Sequence, residues 1–421
     1  MHISPSKHIK YIILPFPSIG SLENLLSFRD IYIKKPVALL FLNNEHIYQY
    51  LSYLLLTNCC SLQLYSDEFL VIASNNRLID IKFIITFFFG LVNLSFPLKK
   101  LILILIRPLI CNPLLYHSWT FFIPNVNFDF SNLQVIVSDF LALHTKNLLS
   151  YLRRFKPNQY ISIRHGVTIS PLCPVTSDQK KLYSDFSLPS EHLYLYTNTH
   201  ELDYFSTVLP CNSSKFLYIP VLRLLNKSIS YSSIDSSTIS IFTRPISPPY
   251  LSKDDILDFI YLANQITAYR SDLTFVVKNH PKDKHKYVYR LLKKGLTNCS
   301  VYEAHYDAIS LARKSKISIT FYSNLSVDFS YLKIPHFEFY CKSLETIHAE
   351  SGLFHDCNHY PSLDYRYFGL SPVLHNSDQL HNALLDNCCY EHHVDFSYNA
   401  HIELFNPTLP LDHIYEGLPA S

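Results

Sequence analysis

Residues 273–280 read LTFVVKNH, an apolar strand-like run that ends in a cation, an amide and an imidazole. Pro281 follows and stops the strand, because proline has no N–H to donate to a sheet. Four more strand-like runs occur in the second half of the chain and alternate with helical patterns. They lie at 238–244, 299–304, 317–322 and 335–340. This alternation predicts βαβ units and a parallel sheet.

Two helix patterns support this interpretation. Ser252 stands three residues before Asp255 and an apolar helical run, which predicts a capping box. Residues 284–296 place apolar side chains on one helical face. The first half of the chain has a similar but noisier rhythm and predicts a second α/β domain. Its strand candidates are 11–16, 37–42, 69–73, 135–138, 160–163, 193–197 and 216–219.

A polar stretch separates the two halves. Residues 226–237 read NKSISYSSIDSS, which is typical of an interdomain linker. We therefore predict one Rossmann-like domain over 1–225 and a second over 238–395. Residues 396–421 are long enough to cross back to the first domain. A chain of 421 residues, 48% of them hydrophobic, can bury two cores.

Composition narrows the classes of function. Lys plus Arg is 36 and Asp plus Glu is 34, so the net charge of +2 gives no global basic field for nucleic acid. With only 7 Gly, phosphate recognition must use helix ends and side chains. The ten cysteines form no Cys-x-x-Cys pair, and the histidines after residue 341 match no zinc spacing. We predict reduced thiols in a cytoplasmic protein, no metal and no cofactor.

One region raises the question of membrane contact. Residues 83–96 and 101–106 are apolar, but each run is shorter than the roughly 18 residues of a spanning helix. One interpretation is buried core helices. The other is a monotopic surface at the inner face of the plasma membrane, where Lys99, Lys100 and Arg107 meet anionic lipid. The apolar run that begins at residue 11 is too short for a signal peptide, so we expect no export.

Ligands of open α/β sheets bind beyond the carboxyl ends of the strands, so polar residues there are the first site candidates. Lys278 and His280 follow one strand and form either an anion-binding loop or an ordinary loop. Thr243 and Arg244 follow another strand, where the guanidinium pairs with a diphosphate or with a surface carboxylate.

A third candidate lies before a predicted helix over 325–332. The Ser323 hydroxyl and the amides that start this helix can hold a phosphate, and an ordinary N-cap is the alternative. Asp328 lies one turn further on, where it reaches a ribose hydroxyl or faces solvent.

The first half contributes two candidate bases. His165 follows a strand candidate and precedes Gly166, which permits close approach of the backbone to a ligand. Its reference pKa of ~6.5 suits removal of a proton from an acceptor hydroxyl. Asp139, after the strand candidate 135–138, is the alternative base. His165 then positions the acceptor or packs in a loop.

These motifs resemble a known superfamily. Residues 278–281 read KNHP and residues 322–328 read YSNLSVD, with Pro335 seven residues further on. The pattern resembles the K-x-H-P and S-S-x-x-x-E motifs of GT-B glycosyltransferases with cytidine-activated donors. Bacterial polysialyltransferases, Kdo transferases and CDP-glycerol glycerophosphotransferases belong to this group. The His-Gly pair at 165–166 is similar to that of the glycerophosphotransferase-like members.

The resemblance implies two Rossmann-like domains facing each other across a cleft, and a metal-independent reaction. It implies donor phosphate contacts for His280 and Ser323 and a nucleotide contact for Asp328, with neighbouring roles for Lys278, Pro281 and Asn324. The chain departs from the family pattern at three positions. They are Asn324 for the second Ser, Asp328 for Glu, and Lys333 for a Gly. Arg164-His165-Gly166 replaces the acidic segment of sialyltransferases, which lowers the support for a sialic acid donor.

Three hypotheses of function follow. The first is a glycosyltransferase, or a phosphopolyol transferase, that uses a CMP- or CDP-linked donor and a surface-polysaccharide or glycolipid acceptor. The second is a UDP-sugar epimerase of the 2-epimerase type on the same architecture. The third is a non-catalytic protein of polysaccharide assembly.

Overall fold

The computed structural model contains two compact α/β units. One unit reaches Leu225, and the other contains the described residues from 227 to 405. The structure describes residues 7–8, 10–14, 19–35, 37–41, 48, 69–74, 77–80, 94, 96–111, 128–129, 131–139, 153–163, 192–202, 215–225, 227, 229, 235–280, 282–283, 285–304, 307–351, 364–385 and 387–405.

The first unit is built on an eight-stranded sheet in the order β10-β9-β8-β7-β2-β3-β4-β5. All neighbouring strands are parallel except β4 and β5. The strands are β2 (Tyr11–Leu14), β3 (Ala38–Phe41), β4 (Phe69–Ser74), β5 (Arg77–Asp80), β7 (Val135–Asp139), β8 (Gln159–Ile163), β9 (His192–Tyr196) and β10 (Lys215–Tyr218). All seven strand predictions for this half are confirmed, and β5 is an addition. A separate parallel pair joins β1 (Lys7–His8) to β6 (Phe128–Asp129).

The described part of this unit also contains helical segments. They are α1 (Ile19–Phe28), which continues as a π-helical segment (Arg29–Ile33), α2 (Phe96–Cys111), a 3-10 segment (Arg153–Phe155) and α3 (Leu222–Leu225). The core includes Leu25, Leu26 and Phe28 of α1 and Ile13 and Val137 of the central strands, all buried. Apolar strands of this kind are typical of a parallel sheet covered on its faces.

Helix α2 contains part of the region considered for membrane contact. Lys99 and Leu103 are buried, so one face of the helix packs inward. Leu101, Ile104 and Leu105 are 50%, 59% and 62% exposed. Residues 83–93 lie outside the described part of the chain. No helix within the described residues is long and apolar enough to cross a membrane.

The second unit has a six-stranded, wholly parallel sheet. Its strands are β11 (Asp235–Phe242), β12 (Thr274–Lys278), β13 (Ser300–Glu303), β14 (Ser315–Thr320), β15 (His336–Phe339) and β16 (Val373–Leu374). Their order is β13-β12-β11-β14-β15-β16, which is the Rossmann order 3-2-1-4-5-6. The strand order reverses between β11 and β14, where this fold class binds ligands. The prediction of an α/β chain with a Rossmann-like unit in each half is confirmed.

Helices alternate with the strands in this unit. They are α4 (Lys253–Thr267), α5 (Tyr287–Gly295), α6 (Ala308–Arg313), α7 (Leu325–Tyr331), α8 (Ser343–Ser351), α9 (Asp364–Tyr367), α10 (Ser377–Leu385) and α11 (Asn387–Phe405). The predicted capping box at Ser252 and Asp255 is confirmed. Under α4, the rings of Phe259, Phe321 and Phe339 pack edge to face at 5.2–5.5 Å. Edge-to-face pairs add stability beyond the area they bury.

The segments at the ends of the second unit have defined places in it. Strand β11 begins at Asp235, within the stretch predicted as a linker. Residues 396–405 form the end of α11, which packs against α7 in the same unit. The predicted return of residues 396–421 to the first domain does not hold for 396–405, which pack in the second unit. For 406–421, which lie outside the described residues, it stays a prediction.

Candidate functional site

Three loops meet at the carboxyl edge of the second sheet. They follow β11, β12 and β14, which are adjacent and parallel, so their ends lie side by side. The β11 loop begins with Thr243 and Arg244, the β12 loop with Asn279 and His280, and the β14 loop contains Ser323. The predicted donor-site residues therefore converge on the edge where the strand order reverses.

Thr243 joins the first two loops. Its N–H donates to the Lys278 carbonyl at 3.1 Å, and its hydroxyl donates to the same oxygen at 3.3 Å. The His280 amide in turn donates to the Thr243 hydroxyl at 3.3 Å. Thr243 thus acts as a structural link that fixes the position of His280.

Arg244 joins the β11 loop to the β14 loop. Its Nη1 donates to the Tyr322 carbonyl at 3.3 Å. Its guanidinium carbon lies 4.8 Å from the ring centre of Tyr250 and 5.6 Å from that of Tyr322. Its Nε is buried and makes no hydrogen bond, and no carboxylate of the described residues lies within ion-pair distance. The alternative in which Arg244 pairs with a surface carboxylate is therefore wrong for the described residues.

Tyr322 has an unusual backbone. Its φ is +46°, a left-handed conformation that costs free energy for a residue with a side chain. Its ring stacks on Tyr250 at 6.0 Å and tilts against Tyr365 at 5.5 Å. This conformation aims the Tyr322 carbonyl at Arg244, and strain of this kind clusters at ligand sites.

His280 is a neutral hydrogen-bond donor. The Lys282 amide donates to its Nδ1 at 3.1 Å, so the neutral ring holds its proton on Nε2. No described residue accepts a hydrogen bond from Nε2. Burial, followed by the positive charges of Lys282 and Arg244, lowers the pKa of His280 to about 4. At neutral pH the side chain offers an N–H and no charge.

The side of the site toward β13 is also ordered. Burial lowers the pKa of Lys278, although Asp307 and Glu303 partly offset this effect. Asn279 Nδ2 donates to Glu303 Oε1 at 3.1 Å. Glu303 also pairs with Lys286, whose Nζ lies 2.6 Å from Oε1. These contacts fix the Asn279 side-chain amide beside the loops that carry Lys278 and Arg244.

The β14 loop leads into α7 through Ser323 and Asn324. The Leu325 amide donates to the Ser323 hydroxyl at 3.3 Å, while Asn324 occupies the N-cap position of α7. The Tyr365 hydroxyl donates to Asn324 Oδ1, so the Asn324 side chain makes a structural contact with α9. Asp328 is buried, so the alternative in which it faces solvent is wrong.

The other predicted site residues are not placed by the structure. Pro281 and His165 lie outside the described residues. Asp139 ends β7 beside Ile163 of β8, and its side chain is outside the described part. Among described His, Cys, Asp and Glu side chains, no group of three is placed to hold a metal ion.

Sequence reasoning missed three residues around the site, Tyr250, Glu303 and Tyr365. Tyr250 follows Pro248-Pro249, a dipeptide that predicts a turn close to the strand end, and this signal could have identified it. Glu303 is the last residue of β13. A polar residue at a strand end is the signal that identified the other site candidates. Tyr365 lies far from the motifs along the chain and has no local signal.

Comparisons with known proteins concern the fold. No protein-family model matches the chain, and no curated protein matches its sequence. The chain is similar to the wall teichoic acid polymerase TagF, with 14% identity, a TM-score of 0.48 and coverage of 97% of this chain and 87% of that one. It is similar to the spinosyn rhamnosyltransferase SpnG, with 14% identity, a TM-score of 0.48 and coverage of 98% and 100%.

A third solved structure belongs to another class of enzyme. The UDP-GlcNAc 2-epimerase from Neisseria meningitidis bound to UDP-GlcNAc has 10% identity, a TM-score of 0.47 and coverage of 94% and 97%. The fold class of the chain rests on its own strand order and parallel pairing.

Proposed function

We propose that the chain is a glycosyltransferase, or a phosphopolyol transferase, with a cytidine-activated donor. The donor is CMP- or CDP-linked, and the acceptor is a surface polysaccharide or a glycolipid. The proposal assigns the chain to the GT-B class of transferases. It is supported by the α/β topology of both units and by the motif residues that gather at one edge of the second sheet.

One observation supports the proposal most strongly. Arg244 is a half-buried cation at the point where the strand order reverses, and its charge has no carboxylate partner among the described residues. The Tyr322 carbonyl and the two tyrosine rings stabilise the guanidinium in part, and an anion would compensate its charge. A donor phosphate would supply that anion and would lie at the ligand edge of the fold.

The chemistry follows from the groups present. The acceptor oxygen attacks the donor, the bond to the leaving phosphate oxygen breaks, and negative charge grows on that phosphate. Arg244 offsets this charge, and the Nε2–H of His280 donates a hydrogen bond to it. The Ser323 hydroxyl adds a further donor. Because these side chains supply the stabilisation, the proposed reaction requires no metal ion.

Removal of the acceptor proton needs a base, and the first unit offers two candidates. We propose His165 for this role and Asp139 as its competitor. Leu101, Ile104 and Leu105 of α2 form an exposed apolar surface that we propose contacts anionic membrane, where a glycolipid acceptor would be held. The protein would then act in the cytoplasm, in peripheral contact with the inner face of the plasma membrane.

The test is release of nucleotide from CMP-, CDP- and UDP-activated donors, measured with and without a glycan or glycolipid acceptor. A transferase releases CMP or CDP faster when acceptor is added. An epimerase of the 2-epimerase type converts a UDP-sugar without any acceptor. If no donor is consumed under either condition, the chain is not an enzyme of these two classes.

A further inference from the structure

Asn279 is held in a single orientation beside the donor loops. Its Nδ2 donates to Glu303 Oε1 at 3.1 Å, and a carboxylate can only accept. The ion pair between Glu303 and Lys286 keeps that carboxylate charged. Rotation of the Asn279 amide by half a turn would place its Oδ1 against Glu303 Oε1. The Asn279 side chain must therefore direct Oδ1 away from Glu303.

That oxygen is an acceptor without a donor. Asn279 Oδ1 is buried and makes no hydrogen bond to any described residue. Leaving a buried acceptor unsatisfied costs free energy, and such groups in native proteins call for an explanation. A ligand that brings an N–H or O–H to this oxygen would recover the loss.

The position of Asn279 limits which part of a donor it meets. It stands between Lys278 and His280, at the end of β12, on the side of the sheet where β13 is the edge strand. A phosphate oxygen would be repelled by Oδ1, because both groups only accept. The aromatic and cationic side chains Tyr250, Arg244 and Tyr322 extend the other way, toward β14. Hydrogen-bond donors occur in the transferred sugar or polyol, in the ribose and in the base, and among these the exocyclic amino group is the donor that cytosine has and uracil lacks.

We propose that Asn279 is the residue that selects the base, with Oδ1 accepting a hydrogen bond from the exocyclic amino group of cytosine. The inference rests on the proposed function, since it assigns a residue to the cytidine part of that donor. Uracil carries a carbonyl oxygen where cytosine carries this amino group. Two acceptors would then face each other, so the site discriminates against uridine.

The experiment measures the affinities of CMP and UMP for the full chain by calorimetry. The expected preference for CMP is at least ~10-fold, because CMP gains a hydrogen bond to Oδ1 whereas UMP places a carbonyl oxygen against it. In Asn279→Ala the preference falls to about 2-fold or less, mainly because CMP binds more weakly. Asn376→Ala is the control, because Asn376 caps α10 on the surface and keeps the parent preference.

A second variant tests the role of Glu303 in orienting the amide. In Glu303→Gln the new amide can donate as well as accept, so Asn279 is free to turn its NH2 toward the base. The CMP preference should shrink through tighter binding of UMP. Loss of a purely structural contact would instead weaken both nucleotides equally.

Three results would overturn the assignment. They are equal affinity of the parent for CMP and UMP, a preference for UMP, and a CMP preference that survives in Asn279→Ala, as it would if both nucleotides bound equally more weakly. The third leaves the proposed function intact. If neither nucleotide binds the parent, both the assignment and the proposed function are wrong.

Discussion

The Nζ of Lys333 lies 2.9 Å from Oδ1 of Asp395, so helix α11 holds the turn that follows α7. Lys333 has a φ of +55°, the left-handed conformation that favours glycine. A residue with a side chain therefore carries backbone strain at this turn that a glycine would not carry. The Lys333 ammonium also lies 4.5 Å from the ring centre of Tyr398, which is another contact with α11.

Substitutions at Lys333 should separate backbone strain from side-chain contacts. Lys333→Ala loses the contacts with α11 and keeps the strained φ. Lys333→Gly loses the same contacts and relieves the strain, so it should be about 1 kcal/mol more stable than Lys333→Ala. Asp395→Asn should change stability by less than about 1 kcal/mol, because the pair is exposed. Urea denaturation measures all three, and equal stability of the Gly and Ala variants would contradict the strain argument.

His336 should make the fold sensitive to acid. Its ring nitrogens lie 2.8 Å and 2.9 Å from the carbonyl oxygens of Ile334 and Leu370. Burial outweighs these two contacts, which favour the charged ring, and lowers the pKa of His336 from 6.5 to about 4. The unfolded chain therefore binds a proton here that the folded chain does not. This contribution to stability is complete above pH 6.5 and is lost as the pH falls toward 4.

The expected loss is up to ~3 kcal/mol. The urea midpoint of the parent should fall between pH 6.5 and pH 4, and His336→Gln should show a smaller decrease. An NMR titration in which the His336 ring protonates near pH 6.5 would contradict the buried neutral state.

The local elements of the fold could be predicted because each has a short-range cause. Apolar runs that end in polar residues identified β2–β4 and β7–β15 to within about three residues, and Ser252 with Asp255 identified the start of α4. The two-residue strands β1, β6 and β16 were not predicted. Strand β5 escaped because it is short and antiparallel to β4, and the only signal is Asn75-Asn76 between the two strands.

The contacts that build the site could not be predicted, because they join residues distant in sequence. Arg244 meets the Tyr322 carbonyl across 78 positions, and Asn324 meets Tyr365 across 41. The sequence suggested a charged or hydrogen-bonding His280, and only the burial of the loop shows that the ring is neutral. Side-chain environment of this kind depends on the assembled sheet.

Helix α2 should bind anionic vesicles through its exposed leucines. The double substitution Leu101→Gln and Leu105→Gln should weaken co-sedimentation with anionic liposomes by at least ~10-fold, since two apolar side chains no longer enter the interface. Leu257→Gln is the control, because Leu257 is a 44% exposed leucine on α4 of the other unit. Parent protein that stays in the supernatant at low salt would contradict the membrane proposal.

The base can be identified by comparing His165→Ala with Asp139→Asn. Removal of the base should lower transfer to the acceptor by ~100-fold or more and leave the affinity for CMP unchanged, because the base acts on the acceptor. Transfer at the parent rate in His165→Ala would remove His165 from the mechanism. If both variants keep parent transfer, the base is neither residue.

The central claim is that Arg244 and His280 hold the donor phosphate, and calorimetric titration with CMP and CDP tests it most directly. Arg244→Ala should weaken both nucleotides by ~10- to 100-fold, since a charge-assisted contact is lost, and His280→Ala should weaken them by ~10-fold. Arg270→Ala is the matched control, because Arg270 pairs with Asp272. Parent-like affinity in both site variants, or no binding to the parent, would contradict the account.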